Sequence, residues 1–407
     1  MHVLYFHQHF STRTGATGTR SYEMAKALVA RGHRVTVVCG STGVCSTDLA
    51  GPTRRGLREG VVDGICVKEL CLPYSNRDGF VKRSITFLRF ALKSMGIAWR
   101  TGYDVLFATS TPLTAGIPGI AMRLLKPRRS FVFEVRDLWP ELPRAMGVIT
   151  NPLVLSAMSV LEWASYRAAD GCIGLAPGIV LGIRRRCART TPVEMVPNGC
   201  DLDLFRPAAK PQARAPGTLR AVFTGAHGMA NGLEAVLDAA AELKRRGRAG
   251  ITLEFIGEGK LKPELVARAA REGLDNCRFR EPLPKNDLAR AMQEMDVGLM
   301  VLADVPAFYE GTSPNKFFDY IACGLPVVNN YPGWLAEIIT SRECGVAVKP
   351  RDPAAFADAL IRLADHPDER VRMGLNARWL AEQEFARDAQ AQRWVAFLEK
   401  IYTEKKR

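Results

Sequence analysis

A chain of 407 residues is longer than one ordinary core supports, and a make-up of 47% hydrophobic and 24% charged residues excludes bulk disorder. Lys plus Arg outnumber Asp plus Glu by 56 to 42, so the expected partner is anionic: nucleotide phosphates, a nucleic acid or an acidic membrane surface. The 10 cysteines form no C-x-x-C pair and have no clustered histidines, which argues against zinc and gives only a weak disulfide signal.

The opening decapeptide, MHVLYFHQHF, has neither the basic flank nor the long apolar run of a signal peptide, so a cytoplasmic protein is expected. Residues 2–6 read as a short apolar strand leading into a polar, Gly-bearing loop at 11–18. Tyr22, Ala25, Leu28 and Val29 then recur at helical spacing, and 35–39 is a strand. Strand, Gly loop, helix, strand is one βαβ unit of a parallel sheet, whose loop meets ligands at the carboxyl edge. The loop is not G-x-G-x-x-G, so a nicotinamide or flavin cofactor is not supported. Residues 48–63, rich in Gly, Arg and Pro, are expected to form a mobile loop before a strand at 65–70.

Residues 80–100 contain no acid. Lys82, Arg89, Lys93 and Arg100 fall on one narrow basic stripe of a helix, while Phe80, Phe87, Leu88, Leu92, Met95 and Trp99 are plentiful on the remaining surface. That combination suits a helix lying on an anionic bilayer; a basic outer face with its apolar side packed on a sheet accounts for it equally. The uncharged run 105–122 holds Pro112 and Pro118 and fits a strand, a loop and a short helix better than a membrane span. A strand at 130–135 ends on Arg136 and Asp137, charged groups where the carboxyl edge of a parallel sheet carries its site residues. The alternation continues with a helix at 153–169, a strand at 171–174, a helix at 178–187 and a strand at 193–196, up to the turn Pro197-Asn198-Gly199.

A Pro- and Ala-rich linker, 206–217, opens a second alternating series. Strands are expected at 219–224, 252–256, 277–279 and 297–301, with helices at 233–245, 260–272 and 285–295 between them. Next comes EGTSPNKFFDYIACGLPVVN, residues 310–329. Ser313-Pro314 marks a helix start, the hydroxyl as cap and the proline at the first helical position. Lys316 and Asp319 lie on one face, with Asp319 about 9 Å along from amides able to bind an anion. That distance is comparable with the separation of a nucleotide's phosphates from its ribose hydroxyls, though an ordinary surface helix with an exposed ion pair explains the same residues. A strand at 346–348 and helices at 353–364, 368–384 and 388–402 close the chain. The fold class is α/β, two doubly wound halves facing a cleft, divided as 1–203, 204–384 and a last helix, 385–407, packing back toward the first half.

With these pieces in order (GTRSYEMAKALVARGHRVTVV, FEVRDLWPE, MVPNGCDLDLF, GEGKLK and SPNKFFDYIACGLPVV) the chain resembles, over essentially its whole length, a family 4 glycosyltransferase of the GT-B fold. It is most similar to the bacterial branch that builds O-antigen, capsule and exopolysaccharide repeats, including N-acetyl-aminosugar transferases. The resemblance implies a retaining, metal-independent transferase of two Rossmann-like domains. It implies a UDP-sugar donor on the C-terminal half and a glycan or polyprenyl-diphosphate-linked acceptor on the N-terminal half. No cofactor beyond the donor is implied; the sequence holds no recognisable nucleic-acid module, so no nucleic-acid partner is expected, and the basic helix at 80–100 makes a peripheral contact with the inner face of the cytoplasmic membrane an expectation.

Carried over residue by residue, Asp319 matches the second acid of the E-x7-E signature that holds the ribose hydroxyls. The first acid falls at Gly311 and is missing, with Glu310 adjacent. Lys316 and the amides around Thr312 and Ser313 fit the diphosphate, as do Gly15 and Gly18, Gly225, His227 and Gly257 in the Gly-bearing loops. The loop 225–231 lacks the Arg and Lys common in the family, and Arg136 stands before Asp137 where many members have His. A front-face mechanism is implied, in which the departing phosphate takes the acceptor proton and Asp137 touches the sugar or the acceptor hydroxyl. A structural carboxylate at a strand end is the plainer role for Asp137. A UDP-sugar epimerase or phosphorylase on the same fold, and a nucleotide-binding scaffold with a degenerate site, remain alternatives.

Overall fold

The computed structural model describes residues 1–43, 45–74, 78–209 and 214–407. Contacts divide it into unit 1, Met1–Pro197 with Gly311–Ser313 and Asp388–Arg407, and unit 2, Asn198–Glu310 with Pro314–Arg387. The change of unit falls at Pro197 rather than at the expected 203 because Cys200 bridges Ala386 and Asp201 is ion-paired with Arg387, which fasten this segment to unit 2. The expected linker at 206–217 lies partly outside the described residues.

Unit 1 is built on β1 (His2–Phe6), β2 (Arg34–Thr42), β3 (Leu57–Val62), β4 (Ile65–Tyr74), β5 (Val105–Thr109), β6 (Ser130–Val135), β7 (Gly171–Gly174) and β8 (Val193–Met195). They form one sheet in the order β3-β4-β2-β1-β5-β6-β7-β8, parallel except where β3 runs against β4. The strand β3 lies where a mobile loop was expected. Its cause is the dipeptide Asp63-Gly64, with φ of 48° and 78°, the left-handed pair that a two-residue hairpin turn requires; Val62 pairs with Ile65 across it.

The helices of this unit are α1 (Arg20–Ala30), α2 (Phe80–Arg100), α3 (Ile117–Leu125), α4 (Glu141–Ala145), α5 (Pro152–Ala168) and α6 (Pro177–Arg186). The short α4 was not expected. Residues 105–122 fold as strand, turn and the start of α3, and no helix of the described residues is long and apolar enough to cross a membrane. The crossovers through α2, α3, α5 and α6 all step toward β8, whereas that through α1 steps toward β2. Right-handed connection therefore places the first four on one face of the sheet and α1 on the other.

Beneath the sheet edge, Arg20 and Glu134 form a fully buried ion pair, Nη2 to Oε2 at 2.8 Å. The guanidinium also donates to the carbonyls of Val196 (2.9 Å) and Pro197 (2.6 Å), and Thr109 donates to Glu134 (2.9 Å). Burial alone would push the Glu134 carboxyl up; Arg20, with help from Arg136 and Thr109, holds it below the ordinary range.

Unit 2 repeats the scheme with β9 (Leu219–Thr224), β10 (Ile251–Ile256), β11 (Cys277–Arg280), β12 (Val297–Met300), β13 (Val327–Asn329) and β14 (Gly345–Ala347), an all-parallel sheet in the order β11-β10-β9-β12-β13-β14. Its helices are α7 (Glu234–Arg245), α8 (Lys262–Arg271), α9 (Lys285–Met292), α10 (Asn315–Ala322), α11 (Trp334–Ser341), α12 (Pro353–Asp365) and α13 (Pro367–Gln383). The sequence reading passed over α11. The last helix, α14 (Arg387–Lys406), belongs almost wholly to unit 1, where Trp394 is completely buried, stacked on Tyr5 (5.9 Å between centroids) and edge-on to Phe107 (4.7 Å).

Removing one partner of a buried pair strands the other charge. Arg20→Met should therefore cost about 3–5 kcal/mol in urea unfolding at neutral pH, with most of it restored in Arg20→Met/Glu134→Leu. Because the folded carboxyl is held low, the pair's contribution is present at neutral pH and fades as acidification protonates Glu134. A loss for the single variant below about 1 kcal/mol would show that the pair is dispensable.

Candidate functional site

In an open parallel sheet, ligands bind beyond the carboxyl ends of the strands where the strand order reverses. Those points lie at β1 and β5 in unit 1 and at β9 and β12 in unit 2.

In unit 2 the loop after β9 brings Gly225, Asn231 and Lys316 together. Lys316 Nζ donates to Asn231 Oδ1 at 2.6 Å and lies 4.1 Å from the centre of the Phe223 ring, and Asn231 in turn donates to the Ala226 carbonyl at 2.6 Å. Among the described residues no carboxylate forms an ion pair with Lys316, and burial pushes its ammonium down to about 7. A side chain at Gly225, whose φ is 127°, would meet Lys316 at 3.5 Å. A Cβ on Gly257 would lie 1.9 Å from the Gly225 carbonyl, and one on Gly259 would lie 2.4 Å from that of His227. These glycines let the loops after β9 and β10 stack backbone on backbone, fixed by His227 N to Glu258 O (3.0 Å) and Leu261 N to His227 O (3.0 Å). Asn231 escaped the sequence reading: an asparagine in a loop carries no signal until its partner is known.

Three expectations for this region are corrected. Pro314 is the N-cap of α10 and the helix starts at Asn315, so the proline stands one position ahead of the first helical residue instead of occupying it. Asp319 is not presented beside Lys316. Asp319 is 3% exposed and its carboxylate accepts from Lys285 Nζ at 2.7 Å, because α10 is buried on every side from Phe317 to Ala322. Burial pushes that carboxyl up, opposed by Lys285, which is itself buried over the Phe205 ring (5.0 Å). His227 does not reach out as a cation. Its ring is fully buried among Phe223, Phe255 and Phe279, has no hydrogen-bond partner on either nitrogen, and is pushed down to about 4 by burial.

Elsewhere, Glu310 is exposed near the start of α11, its carboxyl raised by partial burial and by Glu337, while Thr312 and Ser313 group by contact with unit 1. Gly18 is half-buried in the loop before α1; the amide of Gly15, expected to face an anion, donates instead to the Thr12 carbonyl (3.3 Å) within its own turn.

The edge of unit 1 gathers residues from three strand ends. After β5, Ser110 Oγ accepts from the Arg136 amide (2.9 Å), and Thr111 Oγ1 donates to Asp137 Oδ2 (3.2 Å). Thr111 has φ of 82°, a left-handed conformation that costs a β-branched residue about 1–3 kcal/mol and here aims the hydroxyl at Asp137. After β1, His7 Nε2 accepts from Arg136 Nη1 (3.4 Å), so the ring proton sits on Nδ1, which has no partner. Burial and the Arg136 charge hold His7 well below its ordinary range, so it is neutral at pH 7. Burial pushes the Asp137 carboxyl up, moderated by Arg136 and Thr111. Neighbouring Gln8 is completely buried with both amide atoms unpartnered. The sequence reading named Arg136 and Asp137 and missed His7, Gln8 and Thr111.

Two Rossmann-like sheets in succession, each with its polar cluster at the reversal point, define the GT-B class. Comparison with known proteins agrees: residues 15–199 match the family described as Glycosyl transferase 4-like domain, and residues 218–366 match Glycosyl transferases group 1. Unit 1 thus carries a glycosyl transferase 4-like domain and unit 2 a group 1 domain. Among curated relatives, a D-inositol 3-phosphate glycosyltransferase of Frankia alni is 33% identical over 200 residues, 46% of this chain and 47% of that protein. Its counterpart in Pseudarthrobacter chlorophenolicus is 31% identical over 191 residues, 45% and 44% of the two chains. The chain therefore spans about half the length of the curated relatives it matches. Among solved structures, sucrose-phosphate synthase from Thermosynechococcus elongatus superposes with a TM-score of 0.77 at 19% identity, covering 99% of both chains. Anabaena HepE in complex with UDP and glucose gives 0.69 at 16% identity, covering 98% of this chain and 100% of that one. Both are likenesses of fold.

The Lys285–Asp319 pair yields a direct check. Asp319→Ala should destabilise by about 3–5 kcal/mol in thermal or urea unfolding, and Lys285→Met/Asp319→Leu should recover most of that. Unchanged stability of Asp319→Ala would contradict the buried pairing and return Asp319 to the ribose.

Proposed function

We propose that the protein is a retaining glycosyltransferase that moves a sugar from a UDP-sugar to an acceptor, with the donor diphosphate seated at Lys316 and Asn231 in unit 2. The observation that supports it best is Lys316: a largely buried cation without a carboxylate partner among the described residues, beside Gly225 at the strand-order reversal of a glycosyltransferase group 1 domain. A buried ammonium that lacks a counter-charge is stabilised by an arriving diphosphate.

In the proposed reaction the acceptor hydroxyl oxygen bonds to the anomeric carbon on the face the phosphate leaves. The bond from that carbon to the phosphate oxygen breaks, and the same phosphate takes the hydroxyl proton, giving glycoside and UDP. Lys316 neutralises charge growing on the leaving oxygens, and no metal or other cofactor is required. In unit 1, Asp137 receives the acceptor hydroxyl or a sugar hydroxyl. Arg136, held by His7, opposes the upward push that burial gives the Asp137 carboxyl and serves as no base. By resemblance, the sugar is an N-acetyl-aminosugar and the acceptor a glycan or a sugar on a polyprenyl diphosphate, in cell-surface polysaccharide synthesis at the inner face of the cytoplasmic membrane.

Thermal shift against a panel of UDP-sugars, followed by transfer to lipid-linked glycan acceptors and to inositol 3-phosphate, tests this reading. UDP should raise Tm in the intact protein, and Lys316→Met should weaken UDP binding by at least about tenfold. The pH dependence follows from the sign of the shift. Free Lys316 loses its proton near 7 and the UDP-bound form retains it to higher pH, so binding takes up protons between pH 7 and 8 and weakens as pH rises. Calorimetry in buffers of different ionisation enthalpy should report that uptake in the intact protein and none in Lys316→Met. Equal UDP affinity in the two proteins would refute the donor seat. Transfer should proceed at an unchanged rate in EDTA; a loss restored by a divalent ion would remove the metal-independent route.

A further inference from the structure

The outward surface of α2 pairs an apolar stripe with basic flanks. Ile85, Leu88, Leu92 and Trp99 are 46% to 54% exposed, and Lys82, Arg89, Lys93 and Arg100 beside them are exposed as well. The stripe does not end with α2. On the same sheet face α2 packs on α3, α3 on α5 and α5 on α6. On α5, Leu153, Val160 and Trp163 recur at one helical face with 79%, 63% and 50% exposure, and on α3 Leu124 is 79% exposed. Single exposed apolar residues need no explanation, but large ones at the outward positions of three adjacent helices form a surface of the kind that a partner covers.

Charge selects the partner. Across α2, α3, α5 and α6 the only acidic residue is Glu162, which is buried and paired with Arg186. All exposed charges on these four helices are therefore basic, down to Arg184 and Arg185 at the end of α6. Trp163 lies under the Arg167 guanidinium (5.7 Å) and Trp99 under Lys126 Nζ (5.8 Å), which couples an apolar ring to a cation at two separate places. Tryptophan beside lysine or arginine is the pairing that settles at the boundary between acyl chains and head groups.

We infer that the whole α2–α3–α5–α6 face of unit 1, rather than α2 alone, is a docking surface for an anionic bilayer, with Trp99 and Trp163 as its interfacial anchors. The apolar stripes enter the head-group boundary and the basic flanks meet lipid phosphates, without a spanning segment. This rests on the membrane contact proposed above and extends it to helices that the basic stripe of α2 does not include.

Co-sedimentation of the full chain with phosphatidylglycerol/phosphatidylcholine vesicles and with phosphatidylcholine vesicles tests it. The intact protein should bind the anionic vesicles and lose that binding with salt. Arg89→Glu/Lys93→Glu on α2 and Val160→Ser/Trp163→Ser on α5 should each weaken it by at least about tenfold while keeping the intact protein's Tm, since all four side chains are exposed. Undiminished vesicle binding by the α5 variant would overturn the extended face. So would sedimentation velocity showing a dimer of the intact chain that the α5 variant dissolves, because the occupant would then be a second copy. UDP binding is measured on the same proteins without lipid, so a failed donor seat and a failed docking face give different results.

Discussion

The Arg20–Glu134 pair is the constraint on which unit 1 depends. Arg20 is the first residue of α1, immediately after the loop that follows β1, and Glu134 lies two residues before Arg136 near the end of β6. One guanidinium, with further bonds to the carbonyls of Val196 and Pro197, ties the first strand's loop to the sixth and eighth strands. Two buried charges are tolerable only when every polar atom is satisfied, so the geometry that satisfies them also fixes the register of the edge. His7, Thr111, Arg136 and Asp137 stand on that fixed edge, which is why a strained threonine and a neutral histidine can be held in one arrangement.

Unit 2 makes a contrast between two lysines on neighbouring elements. Lys285 is neutralised by Asp319 and belongs to the core, whereas Lys316 has a neutral asparagine and a phenyl ring for company. A pairing like the first stabilises structure by removing an uncompensated charge. The second leaves the electrostatic demand open, which is the feature the proposed diphosphate seat rests on. The site of this domain is thus recognised less by which charged residues it contains than by which of them lacks a counter-charge.

Much of the architecture was legible in the sequence because the alternation of short apolar strands with amphipathic helices is a local property. Most of the expected strands and helices stand within a residue or two of their expected places. The exceptions have physical causes: β3 was hidden by a Gly- and Arg-rich approach that outweighed the Asp63-Gly64 turn, and α11 is an eight-residue helix behind a glycine. The change of unit at Pro197 could not be read from composition, because it depends on Cys200 and Asp201 finding partners nearly two hundred residues away.

For the site, the sequence by itself determined residue types and neighbourhood: a lysine on the helix after Ser313, an Arg-Asp pair at a strand end, glycines where two loops stack, and an acid-free α2. The tertiary structure decided which of those groups are available. Asp319 and Lys316 are three positions apart on one helix, yet the first meets Lys285 across 34 residues of chain and the second meets Asn231 across 85. His227 stands in the sequence as a loop residue fit to meet the diphosphate and is a core ring in the fold, because three phenylalanines from separate strands close around it. Spacing along a helix fixes which side chains share a face; burial and counter-charge, which set whether a side chain is spent or free, are supplied by parts of the chain that no local pattern connects.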